Sequence, residues 1–268
     1  MQEVVIRSFN QLQEEVFAGV WDPALRRYRD NRVYRGGADK TWGLMPSLNR
    51  ACPHDLTLEK QMLRSFKKYG YADLPHMTSF WQVLAMAQQF GLPTRLLDWT
   101  YSPLVAAHFA TEDVESYDRD GAIWCAEVEK INGQLPKLMR QMLENERGTI
   151  FTMEMLDHIG DSFESLSLLS DKPYAFFFEP ASTADRIANQ YALFSLTTDA
   201  RLTIDQLPEM DDYFKKLVIP REVKLEIRDK LDYINISERM IYPGLGGICK
   251  WITRRYADLG AQYNKNHE

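Results

Sequence analysis

Cysteine is scarce: Cys52, Cys125 and Cys249 are the only three in 268 residues. An odd, widely spaced set fits neither a disulfide framework nor a closed zinc site with CxxC spacing, so all three read as reduced, buried thiols and no metal is expected. Long apolar runs are missing as well. No window approaches the roughly 20 apolar residues that span a bilayer. The amino terminus, with Gln2 and Glu3 ahead of Val4, has no charged-then-apolar leader layout. These absences predict a cytoplasmic protein without a membrane partner. An excess of positive charge is also lacking: 32 Lys and Arg stand against 38 Asp and Glu, a net charge of −6. Such a chain repels polyphosphate, so extended non-specific binding to DNA is not expected, although a few arginines focused in a cleft can still hold one nucleotide. No internal repeat, low-complexity tract or interdomain linker interrupts the sequence.

What is present is core-forming material. With 45% apolar and 12% aromatic residues, the chain can bury a substantial core as one domain. Val5, Phe9, Leu12, Val16 and Val20 recur at helical spacing before Pro23, which predicts a helix over residues 4–20. Val33 to Gly37 reads as a short strand ending in a glycine turn, with Arg35 near its end. Helices are predicted over about 56–69 and over 79–90, the second capped by Thr78 or Ser79 and followed by Gly91. The stretch 91–100 is too rigid for a linker and too apolar for an exposed loop, so it must pack against something. Ser102 and Pro103 make an N-cap and first-turn pair for a helix over 104–111. Strands are predicted over 122–128, 173–179, 192–197 and 217–219. A helical pattern fills 136–169 with breaks at Gly148 and Gly160, a short helix over 182–190 carries Arg186 and Gln190, and two helices close the chain at about 222–236 and 245–256. The expected fold class is α+β: a single compact domain with a central mixed or split β-sheet flanked by helices.

Several motifs stand out against this background: Tyr34-Arg35-Gly36; Leu44-x-Pro46-Ser47-Leu48-x-Arg50; Gln88-Gln89-Phe90-Gly91-Leu92-Pro93-Thr94-Arg95-Leu96-Leu97-Asp98-Trp99-Thr100; Ala106-Ala107-His108-Phe109-Ala110; Arg186-Ile187-x-x-Gln190-x-x-x-Phe194; and Tyr242-Pro243-Gly244-Leu245-Gly246-Gly247. Together they resemble the FRG domain family, whose name comes from the aromatic-Arg-Gly element matched by Tyr34 to Gly36. The resemblance places an FRG domain over 33–257, a helical segment packed on it over 1–32, and a polar tail over 258–268. The family commonly has histidine where this chain has Gln89. A glutamine donates and accepts hydrogen bonds but carries no proton at neutral pH, so no general base is expected there.

The family's order of elements is similar to that of ADP-ribosyltransferases, an analogy at the level of fold. It implies an ADP-ribosyltransferase-like core that binds NAD or a related nucleotide, modifies a nucleic acid or protein acceptor, and serves as a toxin or phage-defence effector. It points to Arg35, Glu179 and Gln190 as catalytic groups. Tyr34, Arg35, Gln89, Thr94, Arg95, Asp98, Trp99 and Arg186 are the candidates for nucleotide binding. The residues themselves leave alternatives open. Arg35 suits a diphosphate and equally a buried ion pair with Asp98, and Arg95 and Asp98 each need a partner, in each other or in Arg35. Trp99 and Tyr34 are stacking platforms or core aromatics. Arg186 and Gln190 reach one ligand together or brace a loop. His108, between Ala107 and Phe109, reads as a satisfied core histidine. The strand after Gln190 offers Ala192, Leu193 and Phe194, with no carboxylate to steady a ribose, so Glu179 is the acidic candidate. A module of the same fold that binds a nucleotide or partner without turnover is the alternative.

Overall fold

The computed structural model describes residues 1–74, 78–180 and 189–257. Among them a sheet of eight strands runs through the molecule: β1 (Gln2–Val5), β4 (Arg32–Gly37), β5 (Leu97–Thr100), β6 (Gly121–Glu127), β7 (Phe151–Thr152), β8 (Ala175–Glu179), β9 (Ala192–Thr197) and β10 (Phe214–Ile219). Two-residue strands β2 (Trp21–Asp22) and β3 (Arg27–Tyr28) form a separate small hairpin. The order in the sheet is β1-β10-β6-β4-β5-β9-β8-β7, with parallel pairs at the two edges (β1 with β10, β7 with β8) and antiparallel pairs between. The expected mixed α+β domain is therefore present.

Its centre is nearly split. Strands β4 and β5 share a single residue pair, Tyr34 with Thr100, whereas β4 pairs with β6 along its whole length. The sheet thus opens at Tyr34 into two four-stranded halves. Three apolar layers hold the halves in place. One, with Phe9, Ala106, Ile123, Leu217 and Ile227, packs the helices Phe9–Phe17, Pro103–Thr111 and Arg221–Tyr233 on the β1-β10-β6-β4 half. A second, with Trp81, Met139, Leu156, Phe176 and Phe194, packs the helices Phe80–Gln89, Lys137–Glu146 and Met153–Ile159 on the other half. The third joins both, since Val33, Trp124 and Phe214 of one half meet Trp99, Phe177 and Leu193 of the other.

Close approach fixes the geometry near the split. A Cβ at Gly36 would lie 1.9 Å from the carbonyl oxygen of Ala106 and 2.8 Å from the nitrogen of Ala110. Only glycine lets β4 lie against the helix Pro103–Thr111, whose facing residues are the small Ala106, Ala107 and Ala110. That helix starts as its residues predict: the Ser102 hydroxyl accepts from Val105 N, and Pro103 stands in the first turn. Ser79 caps the helix Phe80–Gln89 in the same way, and Gly91 follows at φ +86°, a left-handed conformation that favours glycine.

Some expectations change. Residues 2–5 form an edge strand of the main sheet rather than the first turn of a helix, and the helix that follows runs over Phe9–Phe17. Ile6 continues the pairing by donating from its nitrogen to Val218 O at 2.8 Å. The rigid stretch 91–100 ends as strand β5, and Phe151–Thr152 adds a short edge strand inside the segment read as helical. Cys249 is exposed and Cys52 half-buried, leaving Cys125 as the buried thiol. The tail over 258–268, and residues 182–188 of the short helix predicted over 182–190, lie outside the described residues.

Candidate functional site

Where β4 and β5 diverge, the backbone ladder stops and side chains line a cleft. Arg35, one residue past the last shared pair, stands at its middle. Its Nη1 donates to the carbonyl oxygen of Asp98 at 2.6 Å and lies 3.8 Å from the Asp98 carboxylate. The side chain is 25% exposed, so much of the guanidinium is withdrawn from water. Burial and the nearby Arg50 cation push its pKa down, and Asp98 opposes them. An arginine stays protonated regardless. Burial and the second cation leave this guanidinium short of counter-charge, which an anion placed against it would supply.

The cleft has two lobes that meet at Arg35, Gly36 and Phe109. The smaller, about 440 Å³, is lined by Gln88, Gln89, Phe90, Asp98 and Gln190 together with Thr100. The larger, about 700 Å³, is lined by Thr41, Trp42, Met45, Arg50, Glu112 and Trp124. Both lie within the size range of small-molecule sites. Strand register explains part of this grouping: Arg35 pairs with Trp124 across β4 and β6, and directly opposed residues project to the same face.

The central motif is held by its own hydrogen bonds. Gln88 donates from Nε2 to Asp98 Oδ2 at 2.9 Å and accepts from the buried Thr94 hydroxyl at 2.6 Å. Thr94 O in turn accepts from Leu48 N at 3.1 Å, and Thr94 N donates to the Ser47 hydroxyl at 3.2 Å. The Pro46-Ser47-Leu48 and Thr94-to-Asp98 motifs are thus two sides of one junction, and the helix Ser47–Ala51 carries Arg50 to the larger lobe.

Of the residues singled out in sequence, Arg35, Gln89 and Asp98 line the smaller lobe, and Tyr34, Trp99 and Gln190 contribute to its wall. Trp99 is 2% exposed; its Nε1 donates to the Ser195 hydroxyl at 2.8 Å and its ring meets Phe177 edge-on. Tyr34 is equally buried, donates to Asp30, and is pushed to a higher pKa by that burial. Both rings belong to the core, and neither is a free stacking platform. Thr94 acts through Gln88. The Gln190 side chain donates to Ile241 O at 3.2 Å, so its amide braces the chain near Tyr242.

Two expectations are corrected. Arg95 pairs neither with Asp98 nor with the Arg35 cleft: its Nε donates to Glu59 Oε2 at 2.6 Å, its backbone nitrogen to Glu59 Oε1 at 2.8 Å, and its guanidinium lies over the Phe163 ring. Successive residues of an extended chain project to opposite sides, and Arg95 faces a second cavity, lined also by Lys60 and Arg201, away from Arg35. Glu179, at the end of β8, accepts from the Tyr101 hydroxyl and does not line either lobe. Arg186 lies outside the described residues.

The structure also places groups in the cleft that the sequence did not single out. Trp42 is 53% exposed in the larger lobe, and Phe90 stands open at the smaller one. Glu112 faces the larger lobe, held by the Tyr242 hydroxyl and by His108. Its position just after the Ala106-to-Ala110 motif was the only signal. His108 is fully buried with a lowered pKa, mainly from burial, and is satisfied on both ring nitrogens. Among the described residues no group of three or more His, Cys, Asp or Glu side chains is gathered to hold a metal ion, and no helix is long and apolar enough to cross a membrane.

No curated protein and no solved structure matches the chain. A family match does exist, to the FRG domain over residues 30–119, shorter than the 33–257 expected and ending before Gln190 and Tyr242. The matched stretch supplies Arg35, Arg50, Gln88, Asp98 and Glu112 to the two lobes, and over it the chain is similar to the FRG domain.

Proposed function

We propose that the two-lobed cleft binds NAD or a related dinucleotide, and that the protein is an ADP-ribosyltransferase-like FRG-domain protein. The observation that carries this reading is the position of Arg35 between the lobes, beside Arg50, in a protein whose overall charge is −6. A dinucleotide has that layout, with two ring-bearing ends and a diphosphate between them. Guanidinium groups are suited to bidentate contact with phosphate oxygens. Amide groups of Gln88 and Gln89 at one end, and Trp42 at the other, offer hydrogen bonds and ring contacts to the two ends. When bound, NAD supplies a glycosidic bond to nicotinamide, whose cleavage releases an ADP-ribosyl group for transfer. The chain's own contribution is to hold the diphosphate, fix the rings on either side and limit the access of water. A role in toxicity or phage defence belongs to this reading as its biological setting.

A second reading, a nucleotide-binding module without turnover, is favoured by one observation. The acidic candidate Glu179 stands outside both lobes, and Gln190 turns its amide to Ile241. Incubating the protein with labelled NAD and total cellular RNA, DNA and protein separates the two. Label transfer or nicotinamide release that disappears in Arg35→Ala supports the enzyme. NAD binding that depends on Arg35, with no release and no transfer, supports the module. If NAD does not bind, or if Arg35→Ala binds it as well as the native protein does, the cleft reading fails.

A further inference from the structure

The larger lobe contains a carboxylate whose orientation is set by an unusual chain of side chains. Arg228, fully buried, donates from Nη1 to Nδ1 of His108 and from Nη2 to the carbonyl oxygen of Ile236. A guanidinium has no acceptor, so Nδ1 must present its lone pair and the proton of the neutral imidazole resides on Nε2. That Nε2 lies 3.2 Å from Glu112 Oε2 and donates to it. From the other side the Tyr242 hydroxyl lies 2.8 Å from both oxygens of the same carboxylate. Glu112 is therefore fixed from two directions while its side chain stays 26% exposed.

The neighbouring carboxylate does not compete for this role. Asp113 spends one oxygen on Glu115 N at 3.1 Å and the other on the Ser116 hydroxyl at 2.6 Å, as the cap of the turn Val114–Ser116. Oε2 of Glu112 is taken up by His108 and Tyr242, whereas Oε1 meets only the Tyr242 hydroxyl and retains a further lone pair, and a carboxylate is an acceptor only. It faces a lobe whose other walls carry Trp42, Phe109 and Trp124. An acceptor fixed at the wall of an aromatic lobe selects rings that present a donor at their edge and rejects rings that present an acceptor there.

We propose that Glu112 is the base-selecting residue of the cleft: its Oε1 accepts a hydrogen bond from the exocyclic amine of an adenine ring held in the larger lobe, and it disfavours hypoxanthine, which carries a carbonyl in place of that amine. The inference rests on the dinucleotide reading and assigns its adenine end to the larger lobe and its other end to the Gln88 and Gln89 side.

The test is a calorimetric titration of the full chain with ADP-ribose and with inosine diphosphate ribose, which differ in the 6-substituent, amine or carbonyl, and in the N1 proton that accompanies the carbonyl. The native protein is expected to bind ADP-ribose about tenfold or more tightly, the size of a hydrogen bond to a charged group. Glu112→Gln, which can present an amide donor instead, should erase or reverse that preference. Tyr242→Phe keeps the carboxylate but removes a brace, so it should reduce the preference without reversing it, and it serves as the test if Glu112→Gln does not fold. If Glu112→Gln weakens both ligands alike, or if the native protein shows no preference, the base-selecting role is overturned while the cleft reading stands. If the native protein binds neither ligand, or binds both without help from Arg35, the dinucleotide reading falls and takes this inference with it.

Discussion

Arg95 is locked to Glu59: backbone and side-chain nitrogens of the arginine donate to the two oxygens of one carboxylate, which is fully buried. Burial drives the Glu59 pKa up, and the arginine opposes that by three separate interactions. Removing one partner leaves the other charge buried without compensation. Arg95→Ala is therefore expected to destabilise the fold by about 3–5 kcal/mol, read as a shift of the urea midpoint. Adding Glu59→Gln should recover part of that loss. A double variant no more stable than Arg95→Ala would show that the pair is not coupled.

Gly36 has no room for a methyl group, because its Cβ would meet the Ala106 carbonyl at 1.9 Å. Gly36→Ala should destabilise by about 3 kcal/mol or more through displacement of the helix Pro103–Thr111. Gly43, where a Cβ meets nothing within 4 Å, is the matched control. Thermal denaturation of the two alanine variants should separate them clearly, and similar melting temperatures would contradict the packing described at β4.

His108 is neutral in the fold, with its pKa depressed mainly by burial and by Arg228 against the upward pull of Glu112. The unfolded chain, whose histidine titrates near about 6.5, takes up a proton that the folded state refuses. Stability should consequently fall as the pH drops below about 6.5 and continue to fall until the lower folded pKa is reached. His108→Gln can still accept from Arg228 and donate to Glu112 but does not titrate. Melting temperatures measured across this range should show a shallower acid slope for the variant, and identical slopes would place the acid sensitivity elsewhere.

Arg35 satisfies the Asp98 carbonyl with one nitrogen and retains others for a ligand. A lysine offers a single point charge and cannot serve both partners with fixed geometry. Arg35→Lys should fold normally yet lose about tenfold in affinity for ADP-ribose, the effect of losing roughly 1.4 kcal/mol. A native-like affinity would mean that charge alone suffices at this position.

Periodicity and end signals made much of the scaffold legible. The Ser79 and Ser102 caps, Pro103, Gly91 and the apolar run over Phe176 to Phe178 all specify local structure through their own backbone preferences and alternation, and the structure forms those elements. Edge strands were not legible: Gln2–Val5 carries a pattern compatible with a helix, and only its neighbour β10 decides that it extends.

The sequence by itself determined that the chain is an α+β domain with an excess of acidic residues, that a capped helix begins at Pro103, and that Arg35 stands near the end of a short strand. These follow from local sterics and burial patterns, which are written residue by residue. Tertiary structure alone decided which charges meet. Arg95 and Asp98 are three residues apart, yet one turns to Glu59 while the other meets Gln88 and Arg35. Glu112 is held in the cleft by Tyr242, 130 residues away in the chain. Electrostatic partners depend on distance in space and on what has been excluded from water, and neither quantity is encoded in spacing along the chain.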